Sequence, residues 1–279
     1  MTQTLSTAQL AAYFDRIGYT GPHEASSGVL HALHRLHPQA IPFENIDTLL
    51  GVTPRLDLES VFAKLVSARR GGYCYEHNLL FRAMLETLGF ETTGLAARVL
   101  WADPDAVPAR THMMLLVETP DETWLADVGF GSMTLTAPLV FDNGREQATP
   151  HETFRLDLIE HGDFKLQVKL GDTWKPVYRF DLEPQLAADY AMANHYVSTL
   201  PESIFTGHLI VARVMPGQRQ TLFDRTLTHR GAAEEHREIA TAAELRRVLK
   251  DGFGLASPEN AGFEDVLERL VAQPASATT

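Results

Sequence analysis

The chain contains a single cysteine among its 279 residues. One thiol cannot form an intramolecular disulfide, and the count also excludes a zinc site built from four cysteines. A lone cysteine is more often a small buried hydrophobic residue than a nucleophile, so the number alone does not indicate a reactive group. The neighbours of this cysteine in the sequence carry that information.

Positive charge is also scarce, because 24 Lys and Arg residues stand against 36 Asp and Glu residues and give a formal net charge of −12 at pH 7. Nucleic acids and membrane surfaces are polyanionic and would repel such a chain at long range. We therefore expect neither nucleic acid nor a membrane as a partner. An anionic cofactor would need a local basic patch.

Long apolar runs are missing as well. No stretch of about 18 apolar residues could span a bilayer. The start of the chain lacks the charged segment followed by an apolar core that marks a signal peptide. We therefore expect a cytoplasmic protein. Its content of 44% apolar and 22% charged residues is ordinary for a globular chain.

Hydrophobic spacing predicts four helices in residues 1–90, because apolar residues recur there every three or four positions. Each predicted helix follows a capping residue or a glycine pair, which is a usual signal for a helix start. The predicted starts are Ser6 or Thr7, Ser26 or Ser27, Asp57 and Cys74. We expect this part of the chain to form a helical bundle.

From about residue 91 apolar and polar residues alternate, a pattern that is typical of strands. The candidate strands are 95–100, 112–117, 124–128, 154–158 and 164–168, with a turn over 161–163. Residues 91–200 are therefore expected to form a β-barrel or a curled sheet.

Residues 201–279 combine both patterns. A strand is predicted over 209–214, a helix capped by Thr241 follows it, and a further helix is predicted over about 262–272. We expect a small α/β unit here. The tail over 274–279 has little to bury and is expected to fray.

The only cysteine, Cys74, follows Gly71-Gly72-Tyr73 at the start of the fourth predicted helix. Amides at a helix N-terminus carry partial positive charge, so they favour the thiolate form of a cysteine placed there. The two glycines allow another backbone or a ligand to approach closely. This position favours a reactive thiol over a structural one.

A thiolate nucleophile needs a partner for its proton and a third group that orients this partner. His112 opens one predicted strand and Asp127 closes the next, so the two side chains can meet at one sheet edge if the strands pair. The spacing alone leaves open whether His112 is a structural residue and Asp127 a turn former.

Five sequence blocks resemble the arylamine N-acetyltransferase family and occur in the order found there. They are Ile41-Pro42-Phe43-Glu44-Asn45, Arg70-Gly71-Gly72-Tyr73-Cys74-Tyr75-Glu76 with Asn78, Thr111-His112-Met113, Asp127-Val128-Gly129-Phe130-Gly131, and Ser198-Thr199 with Ser203 and Phe205. The block around Cys74 is the most specific of them. The chain after these blocks resembles the family only in length and coarse pattern.

The resemblance implies that Cys74 is the nucleophile, that His112 is its paired base and that Asp127 orients His112. The other site residues that it implies are the acceptor-pocket residues Phe43, Phe130 and Phe205, the coenzyme loop of Gly129, Gly131 and Ser132, and a structural ion pair of Glu44 with Arg70. Successive backbone amides in the glycine-rich loop are expected to form an anion site for the pyrophosphate of the coenzyme.

The family architecture agrees with the periodicity and predicts the α+β fold class. We expect a helical bundle over 1–90 that carries the nucleophile and a central β-barrel over 91–200 that carries the histidine and the aspartate. An α/β lid over 201–279 completes the predicted fold. The Cys, His and Asp residues would then form a core like that of cysteine proteases.

The activity implied by the resemblance is acetyl-CoA-dependent N-acetylation of small aromatic amines and hydrazines, by double displacement through an acetyl-cysteine thioester. Acetyl-CoA is expected as the acyl-donor cosubstrate, and no metal is expected. The expected assembly is a monomer or a homodimer.

Three alternatives remain open. A papain-like cysteine hydrolase is disfavoured, because its histidine lies about 130–150 residues after its cysteine, whereas His112 follows Cys74 by 38 positions. An amide synthase of the same fold, acting on a carrier-bound acyl chain, would use the same three residues. A non-catalytic binding protein on an old enzyme fold would not need them.

Overall fold

The computed structural model describes residues 4–256, 258 and 262–272. The part of the chain before residue 90 is helical, as predicted, and contains one short strand. Its elements are α1 (Thr7–Ile17), α2 (Ser27–Ala40), β1 (Phe43–Glu44), α3 (Ile46–Leu49), α4 (Leu58–Phe62) and α5 (Cys74–Thr87), with a π-helical turn over Ala63–Ser67.

Side-chain caps are present at three of the four predicted helix starts, at Ser6, Ser26 and Asp57. The Ser6 hydroxyl accepts a hydrogen bond from the backbone N–H of Gln9 at 3.3 Å, and the Asp57 carboxylate accepts one from the N–H of Ser60 at 3.0 Å. α1 ends at Gly18, whose φ of 72° lies in the left-handed region that glycine adopts without strain. Local chemistry therefore sets these helix boundaries.

Eight antiparallel strands form the central sheet. They are β2 (Glu91–Val99), β3 (His112–Glu118), β4 (Thr123–Ala126), β5 (Leu139–Val140), β6 (Gln147–Ala148), β7 (Thr153–Leu158), β8 (Phe164–Leu170) and β9 (Thr173–Phe180). Their order in the sheet is β5-β4-β3-β2-β9-β8-β7-β6. Alternate side chains point inward and form a core that includes Phe154, Leu156, Leu166 and Val168.

One side chain connects the two edges of this sheet. The Gln147 carboxamide on β6 donates to the carbonyl oxygen of Val140 on β5 and accepts from the backbone N–H of the same residue, both at 2.8 Å. These two hydrogen bonds take the place of the backbone hydrogen bonds that would join β5 and β6 if they were neighbouring strands. The sheet is therefore a nearly closed barrel, which confirms the predicted architecture of this region.

The chain after the barrel forms helices and a second antiparallel sheet. Its elements are α6 (Ala187–Thr199), α7 (Ile204–Gly207), β10 (Ile210–Met215), β11 (Gln218–Phe223), β12 (Thr226–Arg230), β13 (Glu234–Glu238), α8 (Ala242–Arg247), a π-helical turn over Val248–Gly252, and α9 (Gly262–Ala272). The sheet order is β1-β10-β11-β12-β13. The α+β class is thus confirmed, with a helical bundle, a barrel and an α/β unit.

Two segments depart from the predicted division of the chain. β1 comes from the N-terminal part but pairs with β10 of the C-terminal sheet, where Phe43 lies opposite Ala212. α6 lies in the range predicted to be barrel, and its Tyr190 and Val197 pack into the core of the N-terminal helices. The domain boundaries at residues 90 and 200 therefore remain predictions.

Two further features can be stated for the described residues alone. No helix among them is long and apolar enough to cross a membrane. In the same part of the chain, no three His, Cys, Asp or Glu side chains are grouped so that they could hold a metal ion. The predicted fraying of 274–279 lies outside the described residues.

A chain of hydrogen bonds crosses the core of the helical bundle. The Tyr13 hydroxyl lies 2.7 Å from Nδ1 of His37, Nε2 of His37 lies 2.9 Å from Nδ1 of His77, and Nε2 of His77 lies 3.2 Å from the carbonyl oxygen of Pro42. A carbonyl only accepts, so His77 donates to Pro42 through Nε2 and accepts from His37 through Nδ1. Both rings are thereby satisfied in their neutral forms.

We expect the protein to lose stability steeply in mild acid. Burial lowers the pKa of His37 far below 6.5 and lowers the pKa of His34 and His77 to about 3 and about 4. In the unfolded chain these side chains titrate near pH 6.5, so below that pH the unfolded state binds more protons than the folded state. The free energy of unfolding should fall from about pH 6.5 downward by about 1.4 kcal/mol per pH unit for each histidine.

Urea denaturation at pH values between about 7.5 and 4.5 measures this slope. His37→Gln should make the slope shallower. His195→Gln, at an exposed position on α6, should leave it unchanged. An unfolding midpoint that stays constant from neutral pH to about pH 5 would contradict the neutral burial of the three histidines.

Candidate active site

Cys74 is the first residue of α5 and follows a turn that two glycines make possible. A Cβ added to Gly71 would lie 2.1 Å from the carbonyl oxygen of Pro42, and one added to Gly72 would lie 2.7 Å from Oε2 of Glu76. Both distances are too short for a side chain to fit at either glycine. The glycines therefore let β1 lie directly against the turn that leads into the thiol.

His112 and Asp127 meet because their strands pair. β3 begins at His112, β4 ends one residue before Asp127, and the two strands are antiparallel. Nε2 of His112 lies 2.7 Å from Oδ2 of Asp127, which leaves Nδ1 for Cys74, the other hydrogen-bond partner of the ring. The Cys74 Sγ also lies 3.7 Å from the carbonyl oxygen of Thr111. The structure thus brings the three predicted catalytic side chains together.

The contact between His112 and Asp127 is an ion pair. Burial disfavours the imidazolium, but the charge and hydrogen bond of Asp127, together with Cys74, raise the pKa of His112 to about 10. Burial also acts to raise the pKa of Asp127, but the imidazolium and the hydrogen bonds to the carboxylate lower it below its ordinary value. His112 is therefore protonated at neutral pH, next to the sulfur of Cys74.

Asn78 holds the carboxylate in place, and the sequence did not assign it a role. It lies one helical turn after Cys74 on α5, and its Nδ2 donates to Oδ1 of Asp127 at 3.1 Å and to the carbonyl oxygen of Met113 at 2.8 Å. Its Oδ1 accepts from the backbone N–H of Val128 at 3.2 Å. One helix therefore positions both the thiol and the carboxylate that orients the histidine.

The backbone of the carboxylate residue is also held. The N–H of Asp127 donates to Nε2 of the buried His34 at 3.1 Å. Burial lowers the pKa of His34 to about 3, so the ring is neutral and Nε2 can accept. The helical bundle thus contributes a second contact to the loop that follows β4.

Cys74 and His112 open into a cavity of about 530 Å³. This volume lies within the range of about 300–1,000 Å³ that is usual for small-molecule pockets. The three predicted pocket residues, Phe43, Phe130 and Phe205, all line it. The rings of Phe43 and Phe205 lie 6.2 Å apart between centroids, and Phe130 meets the His112 ring edge-on at 5.1 Å. Aromatic walls therefore surround the thiol.

The predicted coenzyme loop lines the same cavity with Gly129, Gly131 and Ser132. The expected anion site built from successive amides of this loop remains a prediction, and two of its amides already have partners. The N–H of Gly129 donates to Oδ1 of Asp127 at 3.0 Å, and the N–H of Gly131 donates to the Thr134 hydroxyl at 2.7 Å. Two of the amides are therefore occupied by side chains of the protein itself.

Basic side chains line another part of the cavity, and the sequence did not identify them. They are Lys175, Arg219 and Arg230. Arg219 is held by two hydrogen bonds to Glu152, at 2.8 and 2.6 Å, and Nζ of Lys175 lies 3.9 Å from the centroid of the Trp101 ring. These residues come from separate strands, so no sequence motif marks them. Arg219 is paired with Glu152 and Arg230 with Glu234, so Lys175 contributes most of the net positive charge in this part of the lining.

The predicted ion pair of Glu44 with Arg70 belongs to a larger buried network. Arg70 contacts Glu44 at 2.8 Å and Asp47 at 2.6 Å, while Lys64 contacts Asp47 at 2.8 Å and Glu76 at 2.7 Å. The Glu76 carboxylate also accepts from the backbone N–H just before Cys74, at 3.0 Å. The network therefore fixes the turn that carries the thiol.

The sequence matches known proteins over most of its length. A family model described as N-acetyltransferase matches residues 28–261. An arylamine N-acetyltransferase of Escherichia coli K12 is 44% identical over 252 residues, which is 89% of each chain. One of Mycolicibacterium smegmatis is also 44% identical, over 269 residues that cover 94% of this chain and 96% of that protein.

Solved structures agree with the sequence matches. The arylamine N-acetyltransferase of M. smegmatis superposes with a TM-score of 0.90 at 39% identity, covering 95% of this chain and 99% of the other. The enzyme of Mycobacterium marinum in complex with CoA superposes with a TM-score of 0.87 at 38% identity, covering 94% and 98%. The chain therefore belongs to the arylamine N-acetyltransferase family.

Proposed function

We propose that the chain transfers the acetyl group of acetyl-CoA to the amino nitrogen of a small arylamine or hydrazine, through a thioester on Cys74. The observation that carries the proposal is the buried chain of hydrogen bonds from Cys74 through His112 to Asp127, which opens into a cavity lined by phenylalanines. The names of the relatives and the CoA complex of the M. marinum enzyme support the same activity.

In the first half-reaction the Cys74 thiolate attacks the thioester carbonyl of acetyl-CoA. His112 holds the thiol proton as an imidazolium, and backbone amides of the first turn of α5 stabilise the oxyanion. The bond between the acetyl carbon and the CoA sulfur breaks as the bond to the Cys74 Sγ forms. Coenzyme A leaves with the proton from His112, and Asp127 keeps its charge throughout.

In the second half-reaction the amine nitrogen attacks the acetyl-Cys74 thioester. Neutral His112 accepts the proton that the amine loses, and the sulfur of Cys74 leaves as a thiolate. The products are the N-acetylated amine and the resting pair of thiolate and imidazolium. The phenylalanine side chains around the thiol limit access of water, which would otherwise hydrolyse the intermediate.

Different parts of the cavity lining serve to bind the acceptor and the coenzyme. Phe43, Phe130 and Phe205 offer flat apolar surface for the ring of the acceptor. Lys175 provides positive charge for the phosphates of the coenzyme, and Arg219 and Arg230, each paired with a carboxylate, line the same part of the cavity. The loop of Gly129, Gly131 and Ser132 then serves as a wall close to the thioester.

We further propose that the enzyme acts in the cytoplasm. A lone nucleophilic thiol stays reduced there, whereas an oxidising compartment would convert it to mixed disulfides. The net charge of −12 also disfavours contact with anionic membranes and nucleic acids.

Acetyl-CoA alone should acetylate Cys74, because the thioester forms before the acceptor binds. Mixing the protein with acetyl-CoA should release coenzyme A in a stoichiometric burst and add the mass of one acetyl group. Peptide mapping should place the group on Cys74, and an arylamine should then remove it as the acetylated amine. Cys74→Ala should neither acquire the label nor turn over, since the chain has no second thiol.

Three results would point elsewhere. N-acetylation without any detectable acetyl-Cys74 would indicate direct transfer in a ternary complex. Steady release of acetate with no dependence on an amine would favour the cysteine hydrolase, and acceptance of only carrier-bound acyl chains would favour the amide synthase.

Asp127→Asn should lower kcat by about four orders of magnitude while the fold persists, because the amide keeps the size of the side chain but not its charge. His112 would then lose the contact that keeps it protonated. Asp224→Asn is a matched control, since Asp224 contacts His208 at 2.7 Å and is not itself one of the residues that line the cavity. Steady-state rates with comparable circular dichroism spectra measure both effects. Near-normal turnover of Asp127→Asn would contradict the assigned role.

Phe130→Ala should raise KM for bulky arylamines more than for small hydrazines, because the lost surface contacts the acceptor ring. Phe253→Ala is the control, since Phe253 is buried in the core of the C-terminal sheet. That change should cost about 3–5 kcal/mol of stability and leave the ratio of the KM values unchanged. Equal effects of Phe130→Ala on every acceptor would place Phe130 outside the acceptor pocket.

A further inference from the structure

The short helix that carries two residues of the cavity wall has little hydrophobic anchoring of its own. α7 contributes Ile204 and Phe205 to the cavity that opens from Cys74. It contains only four residues, and none of them is buried. A helix of this length is not stable by itself, because its first turn fixes many dihedral angles for few hydrogen bonds. The position of α7, and with it the Phe205 ring, therefore depends on contacts with other parts of the chain.

One side chain from the N-terminal part of the chain holds the backbone of α7 and of the residues that follow it. Nδ2 of Asn45 donates to the carbonyl oxygens of Phe205 and His208, both at 2.8 Å. Oδ1 of the same side chain accepts from the backbone N–H of Ile210 at 2.7 Å. Both amide hydrogens and the amide oxygen are thus used on a single stretch of backbone. Asn45 is only 2% exposed, so its contacts are shielded from water.

Asn45 makes these contacts in place of the one that its position favours. It is the N-cap residue of α3, and an asparagine there usually accepts a hydrogen bond from the second or third N–H of its own helix. No such bond forms at this cap. The side chain contacts instead a carbonyl that lies 160 positions later in the sequence. Local helix capping therefore does not account for the amide, whereas the contacts with α7 do.

The carbonyl that Asn45 holds belongs to a residue whose ring forms part of the aromatic wall. The Phe205 ring lies 6.2 Å from the Phe43 ring and 5.7 Å from the Tyr73 ring, between centroids. Residues 43–45 thus supply one ring of the pair and hold the backbone of the other. Asn45 itself is not among the residues that line the cavity. Its influence on an acceptor therefore passes through the residues that it positions.

We propose that Asn45 is a positioning residue that sets acceptor selectivity, because it keeps Phe205 against Phe43 as one continuous aromatic wall. The inference rests on the proposed N-acetylation and assigns one determinant of its acceptor range. Without the Asn45 amide, α7 moves relative to β1 and the two rings separate. A bulky arylamine then loses contact area along both rings, whereas a small hydrazine covers less of the wall and loses little. Formation of acetyl-Cys74 depends on the triad and persists.

The ratio of kcat/KM for aminobiphenyl to kcat/KM for phenylhydrazine measures this selectivity. Asn45→Ala should lower the ratio about tenfold, mainly through a higher KM for aminobiphenyl, because the Phe205 and His208 carbonyls lose their donor. Asn45→Asp keeps the size and the acceptor oxygen but loses the amide donors, and it should lower the ratio too. Gln147→Ala is the matched control, since it removes an amide that bonds two backbone groups between β5 and β6. It should leave the ratio unchanged.

A double-mutant cycle shows whether Asn45 acts through Phe205. Phe205→Ala alone should lower the same ratio. Adding Asn45→Ala should lower it no further, since the ring to be positioned is then gone. Additive losses would assign the effect of Asn45 to another route and overturn the proposal. So would an unchanged ratio in an Asn45→Ala protein that circular dichroism and thermal unfolding show to be folded.

Two further measurements keep the test decisive. If Asn45→Ala does not fold, Asn45→Ser replaces it, and its single hydroxyl donor should give a smaller loss of the same sign; an unchanged ratio overturns the proposal equally. The stoichiometric burst with acetyl-CoA should persist in every variant. A burst missing from the unaltered protein would contradict the proposed function itself. A normal burst with unchanged selectivity in Asn45→Ala would contradict the positioning role alone.

Discussion

The buried ion pair of Asp127 with His112 is the interaction on which the rest of the site depends. Two charges out of water are costly unless each is paired and hydrogen-bonded. The carboxylate is therefore surrounded by donors, from Asn78, from the N–H of Gly129 and from His112 itself. Because Asn78 and Cys74 lie on the same helix, the packing of α5 against the barrel sets the thiol and its histidine in one arrangement.

The sequence predicted this triad for reasons that are local. Cys74 is unique and begins a helix, and His112 and Asp127 lie at the ends of two strands that a short connection joins. The spacing of the three residues could not distinguish catalytic from structural roles. We assigned the catalytic roles from the resemblance to a family. We did not predict roles for Lys64, Asp47 and the basic residues of the cavity. Their partners lie on other elements, so the sequence contains no periodic pattern that marks them.

Two features that the sequence left undetermined have physical reasons of their own. In the glycine-rich turn, the carboxylate of Asp127 and the hydroxyl of Thr134 accept from the amides of Gly129 and Gly131, and only the fold reveals those partners. α6 was not predicted because it buries polar side chains and exposes apolar ones. Its buried Asn194 donates to the carbonyl oxygen of Pro54 at 3.0 Å and accepts from the hydroxyl of Tyr73, the residue before the nucleophile. A helix with this distribution has no periodic signal to detect.

The pairing of β1 with β10 determines how late in synthesis the surroundings of the nucleophile can be completed. Asn45, just after β1, accepts from the N–H of Ile210 at 2.7 Å and donates to the carbonyl oxygen of Phe205 at 2.8 Å, across 165 and 160 positions of sequence. During synthesis the N-terminal helices leave the ribosome first, and domains fold largely in that order. The nucleophile therefore emerges long before the chain that completes its surroundings, and contacts this distant in sequence form late. A nascent chain therefore holds the thiol in an unfinished cleft until the last third of the protein has been translated.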